Sequence, residues 1–327
     1  MLSLENRMKI LSQQQQLFIY TYGCRPEETE LFHLEARSFF GDDYNSNVPY
    51  MISPIEIDPD RSPFMRERLE ILYEGDKLSD IIAQVEQLEL NNQTFKITYI
   101  KTNDLKDSSK IDYDERRNIE RQLGMAIDGE ADMRVPDIEY GIITLGGRWY
   151  FGIYIKSKAI WLQHMHKPKS YSIALSTRVA RAITNIAVPD IEELTAIDPC
   201  CGIGTVLVEA LSMNVDIVGR DINHFVVRGT RENLKHFNME TDVVCGDIAE
   251  VTEHYDVAIL DLPYNHFSHA TEENQFYLLK HARRIANKLV IVSVADIDHM
   301  LNELGFTIVD RCTTRKGNFI RQIIVCR

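Results

Sequence analysis

The chain has 327 residues, 44% of them apolar and 26% charged, and 49 acidic against 36 basic side chains give a net charge of −13. That length favours two or more domains and supplies ample chain to bury a core. The charge excludes a protein that coats nucleic acid by electrostatics alone, and without a run of about 18 apolar residues a membrane span is not expected.

From the start, residues 1–16 read as a tail: there is no basic-then-apolar layout of a signal peptide, and the glutamine run at 13–16 is polar. Residues 17–22 predict a strand and 26–40 a helix, while 45–63, with four prolines, reads as loop with a short extended piece. A helix is expected over 77–90, an alternating strand over 95–100 and a further helix over 116–127. The runs 140–145 and 149–155 predict a hairpin across Gly146 and Gly147. This half is α+β, divided as two small modules over 17–90 and 91–160.

Between Lys156 and Pro189 the chain carries Lys156, Lys158, Lys167, Lys169, Arg178 and Arg181 and no acid, and Arg311, Arg315, Lys316 and Arg321 cluster near the end. The plain reading is two solvated faces. The functional one is local, shape-guided contact with RNA, for which Lys167, Lys169, Arg315 and Lys316 are the candidates. A helix over 176–186 presents Val179, Ala182, Ile183 and Ile186 on one face, as if to pack a sheet that follows.

From about 165 onward strands and helices alternate. Strands are expected at 194–198, 216–219, 242–245, 257–260 and 289–294, with helices from the glycine turn to about 211, over 222–237 and over 272–287. Such alternation implies βαβ units and an α/β, mostly parallel, doubly wound sheet. Residues 306–312 and 319–326 end the chain as a hairpin, placing an antiparallel last strand in that sheet. The six cysteines, at 24, 200, 201, 245, 312 and 326, form no CxxC pair and have no histidine at zinc spacing. They read as reduced thiols of a cytoplasmic protein, and no metal site is expected.

Four features at the expected strand tips carry the chemistry. Asp198-Pro-Cys-Cys-Gly202-Ile-Gly204-Thr joins a strand to a helix through a glycine turn. The dinucleotide pattern requires Gly or Ala where Leu207 stands, and no Gly-Lys-Ser/Thr follows, so neither a dinucleotide nor a P-loop fits. Asp198 could instead hold the amino group of a methionine-like ligand. Asp221 follows the second strand, where a carboxylate meets a ribose, although it could simply cap the next helix. Asp247, in Cys-Gly-Asp after the third strand, can accept from an adenine amine or form a turn. Asp261-Leu262-Pro263-Tyr264 follows the fourth strand. An exocyclic purine amine is a poor nucleophile because its lone pair is delocalised. A carboxylate and a backbone carbonyl accepting its hydrogens favour pyramidalisation, the proline sets the turn, and the tyrosine ring offers a stacking face. With a sulfonium methyl as electrophile, orientation then supplies most of the catalysis.

Taken together, DPCCGIGT, Asp221, Gly246-Asp247, DLPY and the lead-in KPKSYSIALSTRVARAITN resemble the THUMP-containing tRNA guanine-N2 methyltransferases over about 165–327. The resemblance implies a Rossmann-like, seven-stranded methyltransferase domain, S-adenosyl-L-methionine as cofactor and tRNA as partner, with a small activator subunit in some relatives. It implies that Asp198, Gly202 and Gly204 hold the methionine part, Asp221 the ribose and Asp247 the adenine. Asp261, Leu262 through its carbonyl, Pro263 and Tyr264 would hold the guanine, at tRNA position 10 most commonly and position 6 next. More weakly, 17–90 is similar to that family's ferredoxin-like module, most tellingly in Ile57-Asp-Pro-Asp-Arg-Ser-Pro63, and 91–160 to a THUMP domain. Cys200 stands where an aromatic is usual, Ile203 replaces a threonine, Leu262 a proline and Asn265 a glycine. A methyltransferase for DNA adenine or protein glutamine shares this kind of turn, but glutamine methylation goes with Asn where Asp261 stands, and no sequence-reading domain is visible. An inactive RNA-binding relative would not need all four acids.

Overall fold

Strands and helices come in the order β1 (Phe18–Tyr22), α1 (Thr29–Phe40), β2 (Tyr50–Ser53), β3 (Met65–Gly75), α2 (Leu78–Val85), β4 (Phe95–Tyr99), α3 (Tyr113–Ala126), β5 (Ile138–Leu145), β6 (Arg148–Lys156), α4 (Trp161–His164) and α5 (Thr177–Ala187). They continue through β7 (Thr195–Asp198), α6 (Thr205–Ser212), β8 (Asp216–Asp221), α7 (His224–His236), β9 (Val243–Cys245), β10 (Tyr255–Asp261), α8 (Glu272–Ile285), β11 (Ala286–Ser293), α9 (Asp298–Glu303), β12 (Ile308–Lys316) and β13 (Phe319–Cys326). The structure, a computed structural model, describes residues 15–41, 44–46, 48–101, 111–171, 174–192, 194–263, 271–316 and 319–327, the side chains of Lys316 and Phe319 excepted. No helix among them is long and apolar enough to cross a membrane.

Two compact units divide the chain. One comprises residues up to Gly23, Asp42–Pro59 and Met65–Ser157; the other Cys24–Gly41, Asp60–Phe64 and Lys158–Arg327. The first holds one six-stranded sheet in the order β2-β1-β3-β6-β5-β4, antiparallel except for β4 against β5. Successive side chains alternate between its faces: Ile142 joins Phe95, Ile119, Leu123 and Phe151 under α2 and α3, whereas Ile143 joins Ile19, Leu69 and Tyr154. The β5–β6 hairpin turns through Gly146 (φ +56°) and Gly147 (φ +86°), as the sequence predicts.

The second unit holds a seven-stranded sheet, β12-β13-β11-β10-β7-β8-β9. From β11 through β9 every pairing is parallel, while β13 lies antiparallel to both β11 and β12. This is the α/β sheet with a reversed last strand expected from the sequence. Ala196, Val257, Ile259, Val290 and Val292 face α5, α6 and α7; Ile197, Ala258, Leu260, Leu289 and Ile291 face α8 and α9. Both faces are thus buried, which is why the strands read as continuous apolar runs. Helix α5 packs this sheet through the face read from its sequence, and the Ser176 side chain caps it by accepting from the Val179 N–H. Several boundaries shift by a few residues. β12 continues through Thr313–Lys316, which reads as a connection in sequence, β11 begins at Ala286 rather than 289, β10 at Tyr255 rather than 257, and α7 begins at His224 rather than 222 because Asn223 is the cap.

The division into modules at 17–90 and 91–160 differs from these units. The sheet of the first unit takes strands from both stretches, and α1 and the short Asp60–Phe64 piece sit in the second unit. The physical reason is the apolar stripe of α1. Leu31 and Leu34 join a buried cluster with Ala182, Ile183 and Ile186 of α5, while Arg37 forms a 2.9 Å ion pair with Asp310.

Burial there encloses charge. Arg181, 1% exposed, donates through Nη1 to Glu209 Oε2 (2.6 Å) and through Nε and Nη2 to the carbonyls of Asp60 and Arg61, and His164 Nδ1 lies 2.8 Å from Glu209 Oε1. Glu35, also buried, accepts from Ser62 Oγ (2.5 Å) and Asn185 Nδ2 (2.6 Å). Burial outweighs these bonds and pushes its carboxyl up to about 7. The folded state therefore binds this proton more tightly than the unfolded chain, so the contribution is greatest below about pH 4.5 and is lost as pH rises through about 7. Glu35→Gln should gain on the wild type by up to about 3 kcal/mol between pH 4.5 and 7.5. Denaturant midpoints of both proteins across that range check this; a gap that does not change with pH contradicts it.

Candidate active site

The strand order reverses between β7 and β10, since the chain steps from β7 outward to β8 on one side and from β10 to β11 on the other. In open α/β sheets ligands bind outside the carboxyl ends of the strands at such a switch point. Here β7 ends in Asp198, β8 in Asp221 and β10 in Asp261, and Asp247 lies two residues past the end of β9. The four acids singled out in the sequence thus share one edge of one sheet.

The loop after β7 is shaped by its glycines. Gly202 has φ +52° and Gly204 φ +76°. A Cβ at Gly204 would lie 2.5 Å from Thr230 Cγ2, so this position needs glycine for conformation and for close approach to α7. From α7, the Thr230 hydroxyl donates to the Gly202 carbonyl and Asn233 Nδ2 donates to the Ile203 carbonyl (2.9 Å). Asp221 accepts from the N–H of Gly202 (2.9 Å) and of Asn223 (2.8 Å), tying the β7 loop to the tip of β8. Its role at the helix start is an Asx turn, the cap itself being Asn223.

A cavity of about 490 Å³ opens over this edge, and Gly202, Asp221, Asp247, Asp261, Leu262 and Pro263 all line it. Asp198 and Gly204 are not part of its wall. Asp198, 4% exposed, sits behind it and accepts from the Cys200 N–H (3.2 Å). Tyr264 lies outside the described residues. Leu262, 1% exposed, is anchored by its N–H to the Val292 carbonyl (3.0 Å), and Gln275 Nε2 donates to the Pro263 carbonyl (3.3 Å), so β11 and α8 hold the turn. Sequence reasoning missed Ile222, Ile248 and Tyr277, which also line the cavity. Ile222 is 72% exposed directly after the strand-ending acid; an apolar residue stranded at such a tip is the signal that could have found it. Tyr277 gave no signal: helix α8 brings its hydroxyl to 2.9 Å from Asp247 Oδ1.

The electrostatics are one-sided. Among the described residues no lysine, arginine or histidine lines this cavity. Burial pushes the Asp198 carboxyl well above the carboxylate range, and the charges of Asp261 and Asp221 add to it. Burial also raises Asp221, against its two backbone hydrogen bonds. Asp261 is pushed up to about 7 by burial, with the Arg321 guanidinium pulling the other way, and its buried Oδ1 has no hydrogen-bond partner among the described residues. Such a site favours a ligand that carries positive charge and hydrogen-bond donors. Of the candidate RNA contacts, Lys167 donates to Thr205 Oγ1 (2.9 Å), Lys169 pairs with Glu232 (3.2 Å), Arg315 is exposed on β12, and the Lys316 side chain lies outside the described residues.

A doubly wound sheet with a reversed last strand, and an acid-lined crevice at its switch point, define the class as a Rossmann-like methyltransferase domain. Residues 166–300 match the family described as UPF0020, RMKL-like, methyltransferase domain. The chain is 35% identical over 101 residues to a tRNA (guanine(10)-N2)-dimethyltransferase of Methanothermobacter thermautotrophicus, covering 30% of each chain. To the protein of the same name from Pyrococcus abyssi it is 28% identical over 191 residues, 56% of each chain. It therefore spans about half or less of the length of the curated relatives it matches. The solved structure of TrmN from Thermus thermophilus aligns with 95% of this chain and 98% of its own at 14% identity, with a TM-score of 0.47.

Proposed function

We propose that the chain is an S-adenosyl-L-methionine-dependent methyltransferase that modifies the exocyclic N2 amine of a guanosine in tRNA, position 10 being the favoured target. The observation that carries this reading is the acid-lined cavity at the switch point, with a buried Asp261 oxygen, beside the Leu262-Pro263 turn, that has no hydrogen-bond partner among the described residues. The residues present fit the cofactor, whose ammonium and sulfonium groups are cationic and would offset the unbalanced acids. When bound, it supplies an activated methyl group. Gly202, on the wall, would meet its methionine part, with Gly204 and the buried Asp198 behind it shaping that loop and Asp198 drawn towards its ionised form by the ligand's positive charge. Asp221 keeps acceptor capacity for ribose hydroxyls beyond its two backbone bonds. Asp247 already accepts through Oδ1 from the Ala249 N–H (2.8 Å) and from Tyr277, so its other oxygen would take the adenine amine.

Asp261 would accept a hydrogen bond from the guanine amine and then, directly or through water, its proton. A carboxyl near 7 is matched to this task at neutral pH. The Leu262 carbonyl is the second acceptor, the Pro263 ring fixes the turn, and Tyr264 completes the tetrapeptide as a stacking face. The same reading puts the chain in the cytoplasm, with tRNA as substrate, RNA contacts in the THUMP-like 91–160 stretch, and a small activator subunit as a candidate partner. Incubating the full chain with methyl-labelled S-adenosylmethionine and unmodified tRNA, then analysing nucleosides by mass spectrometry, should yield N2-methylated guanosine. Label in adenosine or in protein, or none at all, overturns the assignment.

A further inference from the structure

A second cavity, of about 650 Å³, lies in the same unit and shares Tyr171 and Ala174 with the first. Its character is opposite. Arg25, Lys167, Arg178, Arg315 and Arg321 line it, against only two acids, Glu27 and Glu28. Arg178 and Glu28 neutralise each other in a 2.8 Å ion pair, and the Arg178 guanidinium rests over the rings of Phe64 and Trp161. The other charges of this wall are four cations and Glu27, in a chain whose net charge is −13. The first turn of α5, residues 176–179, forms part of the same wall and adds a partial positive charge. Arg321 lines this cavity while its charge acts on Asp261 in the other, so the two environments meet at the proposed amine acceptor.

We propose that this cavity grips a backbone phosphate of the RNA strand whose guanosine enters the first cavity. The inference rests on the function proposed above. A cationic cofactor is disfavoured here by like charge, whereas guanidinium groups match phosphate in charge and in bidentate geometry. A nucleotide with its base at Asp261 carries its phosphates to one side of the base, and the adjoining basic cavity is where that anion is neutralised. In an acidic chain the cavity thereby supplies a local phosphate contact beside the proposed active site.

The test is equilibrium binding of fluorescent tRNA to the full chain with S-adenosylhomocysteine present, across a salt series. Arg25 and Arg315 are exposed, so glutamine at either position leaves the core intact. The Arg25→Gln/Arg315→Gln double variant should bind at least about tenfold more weakly, and its salt slope should fall by about 0.7 per cation removed. Arg315→Lys should keep the wild-type slope, Glu27→Gln should tighten binding, and Lys235→Gln, on α7 away from the cavity, should change nothing. Wild-type affinity and slope in the double variant overturn the proposal and leave the methyl-transfer reading standing. A loss of S-adenosylmethionine affinity with RNA affinity unchanged also overturns it, since the cavity would then serve the cofactor's carboxylate. Failure of the wild type to methylate any guanosine sinks the functional reading first and this inference with it.

Discussion

Asp261→Ala is expected to lower the turnover number by about 10²–10⁴-fold, the range contributed by a positioned acid or base, while S-adenosylmethionine affinity stays close to wild type. The side chain ends β10 at the cavity wall, yet the backbone bond that anchors the turn comes from Leu262 to Val292 and survives the substitution. Calorimetric titration of the cofactor and single-turnover methylation of tRNA separate the two effects. The wild type carries a matching pH signature. Its Asp261 carboxyl, raised to about 7 by burial, must be ionised to accept from the amine. The rate of the chemical step should therefore rise about tenfold per pH unit below that value and level off above it. Near-normal turnover in Asp261→Ala, or a flat profile through pH 6 to 7, would remove this residue from the chemistry.

Arg181→Ala is the substitution with the largest expected effect on stability, about 3–5 kcal/mol, the usual cost of stranding the other half of a buried ion pair. Arg181 and Glu209 are 1% and 0% exposed in their side chains and 2.6 Å apart. Removing the guanidinium also leaves the carbonyls of Asp60 and Arg61 without these donors. Chemical denaturation followed by circular dichroism measures the loss. Replacing both charges, as Arg181→Met with Glu209→Leu, should recover more than half of it, because the uncompensated charge goes with its partner. If the double variant proves no more stable than Arg181→Ala, the pair is not the source of the cost.

Much of the site was legible in the sequence because its residues obey local rules. A strand that ends in an acid, a glycine pair that permits φ of +52° and +76°, and a proline after Leu262 each leave a mark within a few positions. The alternation of strands and helices then places the tips of the parallel strands on one edge. Other features arise from distance in the chain. Ile222 reads as the first apolar position of a helix until the Asn223 cap shows it exposed over the cavity. Tyr277 reaches Asp247 across 30 residues, and nothing near either position foretells the contact.

By itself, the sequence determined the doubly wound sheet, its reversed last strand and the row of acids at its tips, since periodicity, turn residues and strand-end chemistry are short-range properties. Only the tertiary structure decided that α1 and Asp60–Phe64 join the unit of the site, that Glu35 and the Arg181–Glu209 pair are sealed inside it, and that scattered cations converge on one cavity. An amphipathic helix states that it needs an apolar partner but not which one. The nearest sheet in sequence had no prior claim on α1 once the α5 face could bury Leu31 and Leu34.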